Sequence, residues 1–150
     1  MAEGTVKTIQ IDAPAEVIFD VAADVARFPE WATGVRETEV LEANEDGYPI
    51  RAHLVVNGII RTISYILNYT YDGIARIEWV AEPGEDIIEM VGRYEFYELD
   101  EGGVEVVYAL KVAPNFIVPG MLRRQAEKQI VSTALRGLRD RAEELAAAEE

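Results

Sequence analysis

Tyr65, Tyr69 and Tyr71 recur at even spacing in one stretch of alternating apolar and polar residues, and Trp79, Tyr94 and Tyr108 hold equivalent positions in three others. On a β-strand such spacing sends side chains to one face. Assigned this way, that face also carries Leu54, Leu67 and Met90, and Arg61 is its one full charge. Phenol and indole groups usually need partners when buried. Two readings follow. Either the tyrosines bond backbone or water inside a solid core, or they line a cavity in which a few polar groups orient an apolar ligand.

Other chemistries are poorly supplied. There is no cysteine and one histidine, so a thiolate nucleophile is excluded and an ordinary zinc site is not expected. His53 falls on the outer phase of its strand, against a Ser-His-Asp arrangement. No GxGxxG or phosphate-binding loop occurs. Glu37 and Glu39 share a phase with Val35 and Leu41 and are read as an exposed edge, with an inward turn only if the strand bulges. Neither a metal nor a cofactor is expected.

The elements that must position these residues follow from period and turn residues. Residues 5–11 alternate as a first strand. Asp12 reads as the cap of a short helix with Pro14 and Glu16 close behind. Asp24 reads as a second cap, with Pro29 ending or kinking that turn before Trp31. Strands are then predicted at 35–42, 48–56, 59–71, 74–81, 87–99 and 104–112. Turn signals separate them, including Asn57-Gly58 as a type I′ hairpin. Inward positions include Ile59 and Arg61 on the third of these strands and Ile88 and Gly92 on the fifth, Gly92 as a bend point. Residues 119–148 read as one long helix with a stripe that includes Ile130, Ala134, Gly137, Leu138 and Leu145. The expected architecture is α+β: a seven-stranded antiparallel curved sheet around a long helix, with two short helices after the first strand.

The chain carries 28 acidic and 14 basic residues, net −14. Residues 1–118 account for all of it, with 8 Lys or Arg against 22 Asp or Glu, while residues 119–150 hold 6 of each. An acidic body repels nucleic acid and anionic surfaces, so no nucleic-acid partner is expected, and the basic residues of the long helix read as a solvated face. One domain spanning 1–150 is expected. No apolar run is long enough to span a bilayer, and the N-terminus lacks a signal-peptide pattern. No integral membrane association and a cytoplasmic location are expected, as a monomer or dimer.

Several stretches together resemble a known superfamily. They are IDAPAEVIFDVAADV (11–25), RFPEW (27–31), GVRETEVLE (34–42), YILNYTYDGIARIEW (65–79), GRYEFYEL (92–99) and GGVEVVYALKV (102–112), ahead of the long helix. The chain is similar to the polyketide cyclase/dehydrase branch of the START-like (SRPBCC, Bet v 1-like) superfamily. The resemblance implies the helix-grip fold and a deep apolar cavity between sheet and C-terminal helix. Members bind lipids, sterols, quinone tails or polyketides, and some fold and dehydrate a polyketide chain with a cavity arginine, tyrosines and water.

Three functions are therefore carried forward. The first is binding of a small hydrophobic or aromatic ligand by Trp31, Leu54, Tyr65, Leu67, Tyr69, Trp79, Met90, Tyr94, Tyr108, Ile130, Ala134 and Leu138. The second is a polyketide cyclase/dehydratase in which Tyr65, Tyr94 and Tyr108 donate protons and Arg61 polarises a carbonyl. The third is a protein–protein module with a filled core.

Overall fold

A computed structural model describes residues 4–58 and 61–148. Strand β1 (Thr5–Ile11) leads to helix α1 (Ala15–Ala23), a 3₁₀ turn (Val25–Arg27) and the single-turn helix α2 (Phe28–Trp31). Strands β2 (Val35–Ala43), β3 (Pro49–Asn57), β4 (Thr62–Asp72), β5 (Arg76–Ala81), β6 (Ile87–Glu98) and β7 (Val104–Pro114) follow, then helix α3 (Gly120–Ala148). The seven strands form one antiparallel sheet in the order β1-β7-β6-β5-β4-β3-β2. This is the helix-grip architecture that the alternating strands and the one long helix predict. β1 and β2 are neighbours in sequence but lie at opposite edges of the sheet. The segment holding α1 and α2 must therefore cross from one edge to the other, which brings it over the sheet face that the tyrosines occupy.

Local chemistry sets most of the turns. Asn44 Oδ1 accepts the backbone N–H groups of Asp46 and Tyr48, both at 3.0 Å, and Gly47 takes a φ of 90°. Side chains rarely tolerate that angle, so Asn44 to Gly47 turns by its own composition. Asn57-Gly58 behaves differently from its expected type I′ turn. Asn57 is held in the ladder, its N–H on Gly34 O at 2.7 Å and its register partner Thr62. It is not free to adopt a left-handed turn. Gly58 donates its N–H to Arg61 O at 2.9 Å. The strand starts at Thr62, so Arg61 is not part of its alternation, and the placement of Ile59 lies outside the described residues.

Three further expectations are corrected. Helix α1 starts after Pro14, whose φ of −63° and ψ of 147° make the extended entry, while Asp12 gives its backbone N–H to Glu143 Oε2 at 2.9 Å. Asp24 does sit at the start of the 3₁₀ turn, without a side-chain cap bond. Pro29 occupies the first turn of α2 rather than ending a helix, since its missing N–H has no intrahelical partner there anyway. In β6 a bulge sets Ile87 opposite Pro114 and Glu89 opposite Ala113, leaving Ile88 as the extra residue. The phase slips by one, Ile87 is buried and Ile88 is 57% exposed.

Helix α3 carries two apolar stripes, where one was expected. Val131, Leu135, Leu138 and Ala142 are buried, and the helix packs mainly on β1, β7 and α1. Ile130, Thr133, Ala134 and Gly137 lie about 100° round the helix and face the space over the aromatic strands and Trp31. Ile130 is 49% exposed and Leu145 is exposed, so neither belongs to the buried seam. The expected stripe merged residues from both. Glu127 closes the seam at its upper end. Its Oε1 accepts from Thr5 Oγ1 at 2.8 Å and its Oε2 from the Val112 N–H at 3.0 Å, a β7 group lying past the last β1 pairing at Leu110.

The two stripes make different predictions. Leu138→Ala removes a fully buried side chain and should cost about 2–5 kcal/mol. Ile130→Ala should cost about 1 kcal/mol or less, because half of that side chain already meets solvent. Chemical denaturation of the two variants checks the assignment.

Candidate ligand cavity

Alternation delivers one face of five strands to a common space. Leu54 and Val56 come from β3; Ile63, Tyr65, Leu67 and Tyr69 from β4; Trp79 from β5; Met90 and Tyr94 from β6; Tyr108, Leu110 and Val112 from β7. Ile130, Thr133 and Ala134 of α3 roof this space, and Ala22, Phe28 and residues 31–35 close its side. The volume of this space is about 220 Å³. A wider depression of about 600 Å³ lies elsewhere, between the start of α1 and the β6–β7 turn, but it is more open and has no aromatic lining residue among the described residues.

The floor is an aromatic platform. Trp79 lies 5.3 Å from Tyr94 and 5.7 Å from Tyr108, centroid to centroid, and Tyr94 and Tyr108 are 4.5 Å apart. Tyr69 adjoins Trp79 at 6.1 Å. Gly92 makes this arrangement possible. It pairs with Trp79 across β5 and β6, and a Cβ placed there would sit 2.4 Å from the indole carbons. The glycine read as a bend point is thus also the bed on which the indole lies.

The phenols of Tyr65, Tyr69, Tyr94 and Tyr108 have no hydrogen-bond partner among the described residues, and all four residues line the cavity. Tyr71, by contrast, donates to Pro49 O, and Tyr48 donates to Asp20 Oδ1 at 3.4 Å. Burial pushes all four uncommitted phenols above the usual tyrosine range, and neighbouring phenols push Tyr69 and Tyr108 further. They are neutral donors at neutral pH. No lysine, arginine, histidine or carboxylate lines the cavity among the described residues, and the remaining polar side chains there are Thr33, Asn57 and Thr133.

Eleven of the twelve proposed ligand contacts line this space. The exception is Leu138, which belongs to the buried seam of α3, one turn beyond Ala134. Trp31 stands at the side wall and packs edge-on against Phe28 at 5.4 Å. It also rests on Gly137, where a Cβ would meet its ring at 3.2 Å. Glu30 Oε1 beside Arg141 Nη2, at 2.8 Å, ties the same helix to α3. Arg61 is elsewhere. It sits on the surface against Asp86 and over the Phe116 ring, 4.9 Å from its centroid. Asp86 also accepts the Ser64 N–H at 2.9 Å, and these two contacts hold its carboxyl below the ordinary range. Of the four residues considered for catalysis, Tyr65, Tyr94 and Tyr108 converge and Arg61 does not join them. Phe28, Thr33 and Thr133 were missing from the proposed contacts. Thr133 lies beside Ala134 on the helix, three residues from Ile130, whereas residues 28–33 have no period to assign a face.

The family profile described as polyketide cyclase/dehydrase and lipid transport matches residues 11–139. The chain belongs to that family. Its fold is shared with a START superfamily protein from Mycobacterium smegmatis (TM-score 0.86, 21% identity, 96% of this chain and 99% of that one). An aromatase/cyclase from a Streptomyces species aligns at TM-score 0.80 and 17% identity, over 94% of this chain and 93% of that one. A STAR-related lipid transfer protein fragment from Xanthomonas axonopodis aligns at 0.72 and 21%, over 91% and 84%. No curated protein matches the sequence. Within this family one fold serves both binding and chemistry, so the cavity lining carries the functional argument.

The raised phenols imply a pH dependence of defined sign. A tyrosine whose folded pKa exceeds its unfolded value, about 10, adds stability below that pH and loses it as pH rises toward the folded value. Stability should therefore fall above about pH 10. Tyrosinate absorbance should lag behind that of the chain in denaturant. A titration in which all seven tyrosines ionise together near the ordinary value would contradict the enclosed placement of the four.

Proposed function

We propose that this protein binds and carries a small apolar ring compound bearing oxygen acceptors, held between the sheet and α3. The observation that carries the reading is an apolar space between sheet and helix with uncommitted phenols and, among the described residues, no charged lining residue. The apolar wall supplies binding through burial, at about 25 cal/mol per Å². The phenols supply orientation, because a buried donor left unpaired costs about 1–3 kcal/mol and a ligand oxygen relieves that. The volume limits size. About 220 Å³ is below the usual range for drug-sized ligands, roughly 300–1,000 Å³, which favours one or two fused rings over a long acyl chain.

The cyclase/dehydratase reading draws support from Tyr65, Tyr94 and Tyr108, whose phenols face one space, and from the fold likeness to an aromatase/cyclase. It lacks two parts that acid–base chemistry near neutral pH requires. Phenols with raised pKa values are poor proton donors and bases, and Arg61 is paired with Asp86 outside the cavity. Binding is the stronger reading. The cavity also weighs against a filled-core interaction module.

2-Naphthol is a suitable probe, followed by Trp79 fluorescence. Ala134→Phe fills the space beneath the roof and should weaken binding at least tenfold while circular dichroism stays native. Tyr94→Phe should weaken 2-naphthol by about 1 kcal/mol, the worth of a typical hydrogen bond, and leave naphthalene nearly unchanged. Equal affinity for 2-naphthol in wild type and Ala134→Phe would place the site elsewhere.

A further inference from the structure

We propose that the outer face of the first half of α3, with the preceding connection as its tip, docks on an anionic lipid bilayer. This goes beyond ligand binding and stands on different residues. Residues 119–139 hold five Lys or Arg and one acidic residue, in a chain of net charge −14. That one acid is Glu127, turned inward onto Thr5 and Val112, so it does not offset the cations at the surface. Met121, Arg124 and Lys128 follow at three- and four-residue spacing and share one line along the helix. Lys7 of β1 reaches the same line, its Nζ 2.6 Å from Ser132 Oγ. Among the described residues Arg124, Lys128 and Arg136 make no ion pair, although ten such pairs occur elsewhere.

The apolar end decides the partner. Ile117 is 96% exposed and Met121 69% exposed, the two most exposed large hydrophobic side chains of the described residues. Cations alone would suit any polyanion. Two bulky apolar side chains beside them suit a surface with phosphates above and acyl chains beneath. Each Lys or Arg near an anionic leaflet adds to an attraction that fades within a Debye length of about 8 Å. The acidic body is repelled, which orients the molecule with α3 toward the lipid. The same half of α3 carries Ile130 on its cavity side, so docking brings the cavity close to an apolar phase.

Sedimentation with vesicles tests this. One set is phosphatidylcholine alone and the other an equal mixture with phosphatidylglycerol. Wild type should pellet with the mixed vesicles at low salt, release as salt rises, and stay in solution with phosphatidylcholine alone. Ile117→Ser/Met121→Ser and Arg124→Gln/Lys128→Gln should each bind mixed vesicles at least tenfold more weakly. Both should keep wild-type affinity for 2-naphthol, which separates this failure from that of the ligand reading. Wild type remaining in solution with both vesicle sets would overturn the proposal, as would undiminished binding by either variant.

Discussion

One helix has to cover the inner face of seven strands. At about 4.8 Å between strands the sheet is about 29 Å across, whereas a helix with its side chains covers about 10–12 Å. Curvature narrows the gap without closing it. Helix α3 seats its buried seam toward the β1 and β7 end and against α1, so the apolar face of β3 to β6 is left for other groups to cover. The sequence answers with volume. Tyr65, Tyr69, Trp79, Tyr94 and Tyr108 fill much of the space, and the segment from α2 to Gly34 closes the side. The cavity is what remains. It follows from the mismatch between one helix and a wide sheet, and its shape depends on Gly92 letting the Trp79 indole lie flat.

Chemistry inside that space is restricted by the same geometry. Charged side chains would be buried there without partners, which is costly. Arg61, Asp86, Arg51 and Glu82 are instead paired at the surface. Phenols are the compromise, because they keep a hydrogen-bonding group at the end of a large apolar body. Such a lining suits the proposed ligand, an apolar molecule bearing oxygen acceptors. It offers little to a reaction that needs a base or a fixed cation. The fold by itself does not decide between catalysis and carriage, so the side chains that face inward carry the distinction.

Much of this was legible from period alone. The faces of β3, β4, β5 and β7, and β6 from Met90 onward, follow from parity, and the order from β2 to β7 follows from short links between antiparallel neighbours, whereas the place of β1 beside β7 does not. The failures occur where a local event resets the count. The bulge after Ile87 exchanges the faces of Ile87 and Ile88. The start of β4 at Thr62 removes Arg61 from the alternation that made it a cavity residue. In α3, apolar residues on two sides blur into one broad stripe, so Leu138 was read as a cavity contact and Val131 and Leu135 were passed over. Residues 28–33 contribute Phe28 and Thr33 to the cavity from a stretch with no regular period. Each miss comes from tertiary context that spacing does not encode.

Ligand binding between the aromatic platform and α3 underlies the proposed function. Nuclear Overhauser contacts between bound 2-naphthol and the isotope-labelled protein test this directly. The ligand protons should show contacts to the rings of Tyr94 and Tyr108 and to the methyl groups of Ile130. Contacts confined to Val80 and Val91, which are exposed on the outer face of the sheet, would contradict it.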